Sequence, residues 1–244
     1  MKKIFLIIFL LPFLSNAQVL GGNNVIKANL SSLAFGNYHL TYERALLKKL
    51  SISVSYRYMP KKTVPLSNLL EKYIDNKDVN FGSFEMGNTA ITPELRLYPV
   101  KKLKGFYLAA YGRFADFDLS VPVRYVASSL PGSPTEYATF NGKIKSSSIG
   151  FMIGTQFRLA KKLVLDWWII GGHYGRSKGD LNALINRNLS PIEQQSLQAT
   201  LDDLKEIGPF KFEGKVTSPN TANVKSTGPW AGVRSMGLSL GVRF

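Results

Sequence analysis

Residues 50–59, LSISVSYRYM, alternate without a break: Leu50, Ile52, Val54, Tyr56 and Tyr58 share one face, and Ser51, Ser53, Ser55 and Arg57 the other. Successive side chains of a β-strand point to opposite faces, so a period of two marks a strand with one apolar and one polar side. Working outward, the same alternation recurs along the chain. Residues 89–98 set Ile91, Pro93, Leu95 and Leu97 against Thr92, Glu94 and Arg96, and residues 105–116 set Phe106, Leu108, Ala110 and Phe114 against Tyr107, Tyr111 and Arg113. Residues 145–158 oppose Ile149, Phe151, Ile153 and Phe157 to Ser148, Gly150, Gly154 and Gln156, while 163–174 oppose Leu163, Leu165, Trp167 and Ile169 to Asp166. Residues 232–244 place Met236, Leu238, Leu240, Val242 and Phe244 opposite Ser235, Gly237, Ser239, Gly241 and Arg243. With 24–32 and 37–45, eight strands are expected, and the fold class is all-β.

The connections between these segments sort by length. Residues 46–49, 99–104 and 160–162 are short, whereas 60–88, 117–144 and 175–231 are long; only 33–36 breaks the rule. Small outer-membrane barrels put short turns and both chain ends on the periplasmic side and long loops outside. The expected architecture is therefore an eight-stranded antiparallel transmembrane β-barrel with short helices in its extracellular loops.

Alternation alone leaves open whether the apolar face meets a core or lipid. Aromatics near the ends of the apolar stripes, among them Tyr38, Tyr42, Tyr58, Phe114 and Trp167, are placed as interfacial girdles require. The terminal Phe244, on the apolar face of the last segment, has the character of a signal to the barrel-assembly machinery. The alternative is a secreted soluble barrel of lipocalin type, since closed barrels serve both solvents.

The N-terminus supports export. Lys2 and Lys3 precede an apolar run over 4–11 and the small residues Ser15-Asn16-Ala17, the pattern of a cleaved signal peptide, with the cut expected between Ala17 and Gln18. That run is shorter than the roughly 20 apolar residues of a spanning helix. No later stretch approaches that length, so an integral membrane protein of this sequence has to be a closed barrel. The chain has no cysteine, which excludes a disulfide framework and lipidation of an N-terminal cysteine. The mature domain is expected to span 18–244.

The formal charge is +15, a value that often signals nucleic acid. Its placement argues otherwise. Residues 60–88 hold four basic and four acidic side chains, 117–142 one and two, and 175–229 seven and six, so the long connections balance. Seven lysines instead crowd the short turns: Lys48, Lys49, Lys101, Lys102, Lys104, Lys161 and Lys162. In a barrel they form a periplasmic rim facing anionic headgroups; a plain turn and solubility preference explains them as well. Split among three turns without interleaved aromatics, they make a poor nucleic-acid footprint.

The polar faces carry Lys27, His39, Glu43, Arg57, Glu94, Arg96, Arg113 and Asp166, with Thr41, Gln156 and Arg243 beside them. An eight-stranded barrel is only wide enough for side chains to fill its interior. These groups are therefore expected to form a paired internal plug, since a lone buried charge is costly; a narrow ion path is the alternative. His173 and Ser177 are the pair a lipid-modifying enzyme could use, but their spacing matches no nucleophile motif and no third group orients them. Two distant histidines without cysteine give no metal spacing, and no cofactor motif is present.

Two long connections carry helical patterns. Leu66, Leu69, Leu70, Tyr73 and Ile74 follow an amphipathic spacing. Ser190-Pro191-Ile192-Glu193 reads as a capping box with proline at the first helical position, followed by Leu197, Leu201 and Leu204 and a stop at Gly208. Their apolar stripes either pack over the barrel mouth or meet a partner.

The segments GNYHLTYERAL (36–46), ITPELRLYP (91–99), GFYLAAYGRF (105–114), LDWWIIGGHYG (165–175), SKGDL (177–181) and GPWAGVR (228–234) together resemble an uncharacterised family of Gram-negative outer-membrane β-barrels, defined as a domain of unknown function. The resemblance implies a barrel in the outer membrane and supplies no catalytic residue. The functional expectation is a structural or surface-interaction protein whose loops present a contact surface. A lipid-modifying enzyme, a narrow channel and, if the chain is soluble, a lipid carrier stay open.

Overall fold

The structure is a computed structural model that describes residues 22–63, 79–126, 135–207 and 209–244. The signal segment with Ala17 and Gln18, and the helical pattern over 66–74, lie outside the described residues. The strands are β1 (Asn24–Asn29), β2 (Tyr38–Ala45), β3 (Leu50–Thr63), β4 (Glu85–Leu97), β5 (Gly105–Val126), β6 (Thr135–Arg158), β7 (Leu163–Leu184), β8 (Glu206–Ile207), β9 (Phe210–Ser218) and β10 (Thr221–Arg243). Among the described residues two α-helices join them: the one-turn α1 (Leu30–Ala34) and α2 (Pro191–Asp203).

Every strand pairing is antiparallel, in the order β1 to β7, then β10, β9 and β8. β1 also pairs with β10, from Val25 opposite Arg243 to Asn29 opposite Ser239. Eight strands thus close a ring, and β9 with β8 is annexed to the upper edge of β10.

The three short turns and the C-terminus meet at one end of the ring. Tyr98 N donates to Lys49 O at 2.7 Å, Arg243 N to Lys162 O at 2.7 Å, and Phe244 N to Asn24 O at 2.9 Å. Lys48, Lys49, Lys101, Lys104, Lys161 and Lys162 are exposed there and Lys102 is half-buried. Leu103 plugs this end from inside; its φ of 51°, unusual for a side chain other than glycine, turns it wholly into the interior.

Two of the expected long loops are strand. β5 runs to Val126 and β6 begins at Thr135, so the connection expected over 117–144 shrinks to 127–134. β7 runs to Leu184 and β10 begins at Thr221, well before residue 232. The period of two continues through these extensions, but the faces exchange character. On β5 the outward side reads Phe106, Leu108, Ala110, Phe114 and then Asp116, Asp118, Ser120; the inward side reads Tyr107, Tyr111, Arg113 and then Leu119, Val123, Tyr125. A search for one continuous apolar stripe therefore stops where the stripe crosses the sheet.

The extension has its own core, built from Leu119, Val123, Phe140, Leu181, Leu189 and Ala222 with Leu197 and Leu201 of α2 and Leu204, which caps its C-terminus. The helix forms where its capping box lies: Ser190 Oγ accepts from Glu193 N at 3.3 Å, and Glu193 Oε2 accepts from Ser190 N at 2.7 Å. Gln198 ties it to β9, donating to Gly214 O at 3.1 Å and accepting from Val216 N at 2.9 Å. The apolar stripe of α2 packs onto the strand extensions of the same chain.

Candidate functional site: the polar interior

Inside the ring the polar faces of the strands converge on two superposed groups. The lower one is a closed network. Lys27, from β1, reaches Glu43 at 2.5 Å and Gln156 at 2.8 Å, and also bonds Asp166. Arg96 bonds Asp166 at 2.7 Å, Glu43 at 3.3 Å and Glu94 at 2.6 Å. Tyr98 and Ser51 donate to the other oxygen of Glu43 at 2.7 and 2.5 Å, and Tyr107 to the other oxygen of Asp166 at 2.8 Å. Gln156 in turn donates to Leu103 O at 2.9 Å, tying the network to the floor.

Lys27, Glu43 and Arg96 are wholly inaccessible to solvent. Taking such charges out of water costs several kcal/mol each, and the arrangement is stable only because every carboxylate oxygen has a donor. Room comes from glycine: a side chain at Gly154 would overlap the Tyr107 ring at 2.3 Å. The network crosses the interior from β1 to β7 and fills the lower half of the ring.

His39, Arg57 and Arg113 stand apart from this network, although the sequence groups them with it. His39 packs on Trp168 at 5.1 Å between ring centroids, and Arg113 donates to Thr92 Oγ1 at 3.3 Å. Together with Arg57 they line a cavity of about 510 Å³ above the network. Arg243, expected on the polar face, lies at the rim, where its Nε donates to Gly22 O at 2.5 Å.

A fourth cavity residue, Arg234, is one that strict alternation assigns to the apolar face. Met236 takes φ 55°, and the alternation slips there by one residue: Gly237 and Ser239 are buried below the slip and Arg234 above it, while Ser235 is exposed. The facing strand matches the slip, with Trp168 opposite Gly237 and Gly171 opposite Arg234. Arg234 lies between the rings of Trp168 and Tyr111, at 4.4 and 4.8 Å, and donates to Glu94 at 2.8 Å. A charge in the apolar register was itself the signal that the register shifts.

His173 and Ser177 are not brought together. His173 Nδ1 lies 3.2 Å from the Tyr111 hydroxyl, and Ser177 donates to Gly228 O at 3.3 Å. Four residues along one strand separate them by about 13 Å. Among the described residues no group of three or more His, Asp or Glu side chains is placed to hold a metal ion.

Neither the curated proteins nor the solved structures contain a match to this chain. A family model, described as a protein of unknown function (DUF3575), matches residues 3–195, a stretch that takes in β1 to β7 and ends within α2. With most of its length matched, the chain belongs to this family of unknown function, DUF3575.

Proposed function

We propose that the protein is an outer-membrane β-barrel with a structural or surface-interaction role, closed inside by its charged network and carried above the membrane into a folded extension. The observation that carries this reading is the inverted polarity of the ring. Ile149 and Phe151 are each 75% exposed, and Leu40, Ile91, Leu95, Leu108 and Ile170 also point outward, while the charges point in. An apolar belt around a whole ring far exceeds the few hundred Å² that soluble monomers leave in water. A soluble lipid carrier would need the opposite arrangement, with the apolar face lining its interior.

The height of the belt fits a bilayer. On β7 it runs from Leu165 to Tyr174, about 30 Å along the strand at ~3.3 Å per residue. A tilt near 40° reduces this to about 23 Å, close to the ~25 Å apolar band of outer-membrane barrels. Tyr38 and Tyr58 stack at 6.4 Å on the upper margin. The lysine rim at the other end lies where anionic headgroups would meet it.

In this reading residues 1–17 direct export and are removed before Gln18, Phe244 is read by the assembly machinery, and the lower network stops the lumen rather than conducting. The extension, with the polar outer faces of its strands and α2, is the part offered to the surroundings of the cell.

Gel mobility of the membrane-fraction protein, boiled against unboiled, tests the proposal. A heat-dependent shift in the outer-membrane fraction is the expected result. Recovery from the soluble periplasm without a shift would overturn it.

A further inference from the structure

Charge inside the ring does not balance. Among the described residues facing the interior, three carboxylates (Glu43, Glu94 and Asp166) meet five cations (Lys27, Arg57, Arg96, Arg113 and Arg234), and the histidines add none when neutral. Lys27, Arg96 and Arg234 account for the carboxylates through the contacts described above. Arg57 and Arg113 remain, and both line the cavity above the network. A guanidinium stays protonated at any ordinary pH, so two positive charges persist there.

The cavity also concentrates hydrogen-bonding capacity that the protein itself does not use. Arg57 Nε, Arg234 Nη2, His39 Nε2 and Trp168 Nε1 are buried without a hydrogen-bond partner. His39, Arg234 and Trp168 are each more than nine-tenths buried, and all four residues line the cavity. Arg234 is further held in place by the two rings around it. Buried donors are nearly always satisfied, and a rigid guanidinium fork matches an oxyanion.

The wall beside this cavity is interrupted. β9 pairs with β10 only up to Thr227, and β1 pairs with the same edge only from Ser239 on. Between them residues 228–238 of β10 have no strand partner on that edge among the described residues. Across the gap, β3 continues beyond Tyr58, where its pairing with β2 ends. α1 and the residue after it span part of the gap: Ser31 Oγ donates to Met236 O at 3.1 Å and accepts from Leu238 N at 3.0 Å, and Lys62 Nζ of β3 donates to Phe35 O at 2.7 Å. The β10 side of the cavity, Trp230 to Gly237, is built from this stretch.

We propose that Arg57, Arg113 and Arg234 form a binding site for a phosphate-type anion, reached through the gap between β3 and β10. Two uncompensated charges and several convergent donors fit a phosphate monoester better than a single carboxylate. The phosphate can come from solution or from the headgroup of an outer-leaflet phosphoglycolipid, because the gap lies level with the Tyr38–Tyr58 pair at the upper margin of the apolar belt. Only the headgroup source rests on the membrane reading; the site itself does not.

The test is calorimetric titration of the detergent-purified full chain with inorganic phosphate, and then with detergent-dispersed phosphorylated lipid A and its dephosphorylated form. Saturable phosphate binding, weakened at least tenfold in both Arg57→Gln and Arg113→Gln, is expected. Lys162→Gln, at the opposite rim, should bind as the parent does. Phosphorylated lipid binding far more tightly than phosphate, with the dephosphorylated lipid inert, assigns the headgroup source; equal affinities assign a free solute. Absence of phosphate and lipid binding at about 10 mM, where even a millimolar Kd would register, overturns the proposal. So does binding unchanged in the two arginine variants. The boiled-against-unboiled gel shift of each variant reports folding separately, so a failed site and a failed barrel are told apart.

Discussion

The ring and its extension are made from the same strands, yet they are opposites in polarity. On β6 the outward residues Phe157, Ile153, Phe151 and Ile149 give way to Lys145, Lys143, Asn141 and Thr139, while inward Gln156 and Ser148 give way to Phe140 and Ala138. The geometry of the backbone is unchanged across the switch; only the surroundings that each face satisfies have changed. Below it the interior is held by charges that need one another, and above it by apolar packing that needs water outside. A strand therefore carries no fixed inside: which half of the alternation is buried changes along its length.

The largest expected effect breaks the lower half. Asp166→Ala leaves Lys27 and Arg96 facing each other with one acceptor fewer, which should cost about 3–5 kcal/mol. The temperature at which unboiled protein loses its compact gel mobility should fall accordingly. A variant as heat-resistant as the parent would mean the network contributes no stability.

A paired substitution on one strand sharpens the comparison. Ile149→Arg and Thr139→Arg both place a cation on the outward face of β6, below and above the switch. In lipid the first should cost about 2–4 kcal/mol. The second, in water, should stay within about 0.5 kcal/mol. Unfolding from phospholipid vesicles by denaturant measures both, and equal costs would remove the distinction between the two regions.

The smallest effect concerns pH and the extension alone. Hydrogen bonds from Arg187 and from Ser190 hold the Glu193 carboxyl at about 2, below its ordinary 4.5. Because the folded value is depressed, the associated stability is present above pH 4.5 and is lost as pH falls towards 2. Protection of the α2 amides, relative to their intrinsic exchange rates at each pH, should fall over that window in the parent but not in Glu193→Gln, while the ring stays protected.

Much of the fold was legible in local pattern. Alternation over 50–59, 105–116 and 163–174 lies within β3, β5 and β7, and the Ser190–Glu193 capping box marks the start of α2. Both signals depend on neighbours in sequence, so no knowledge of distant residues was needed to read them. The strand extensions were missed for a physical reason. Residues 117–126 and 175–184 keep a strand's period but reverse which face is apolar, and a loop with balanced charge looks the same in composition.

Arg234 shows the complementary limit. Its side chain is inside because the backbone turns at Met236 and the facing strand slips with it, an event invisible to any rule that counts by twos. Its neighbours in the cavity come from β3 and β5, far away in sequence, and their excess charge appears only once the strands are in register. The sequence by itself determined that the chain is built of antiparallel strands joined by short lysine-bearing turns, because periodicity and turn chemistry are local. Closure of β1 on β10, the annexed β9 and the convergence of Arg57, Arg113 and Arg234 were decided by the tertiary structure, since each depends on which strands meet and at what register.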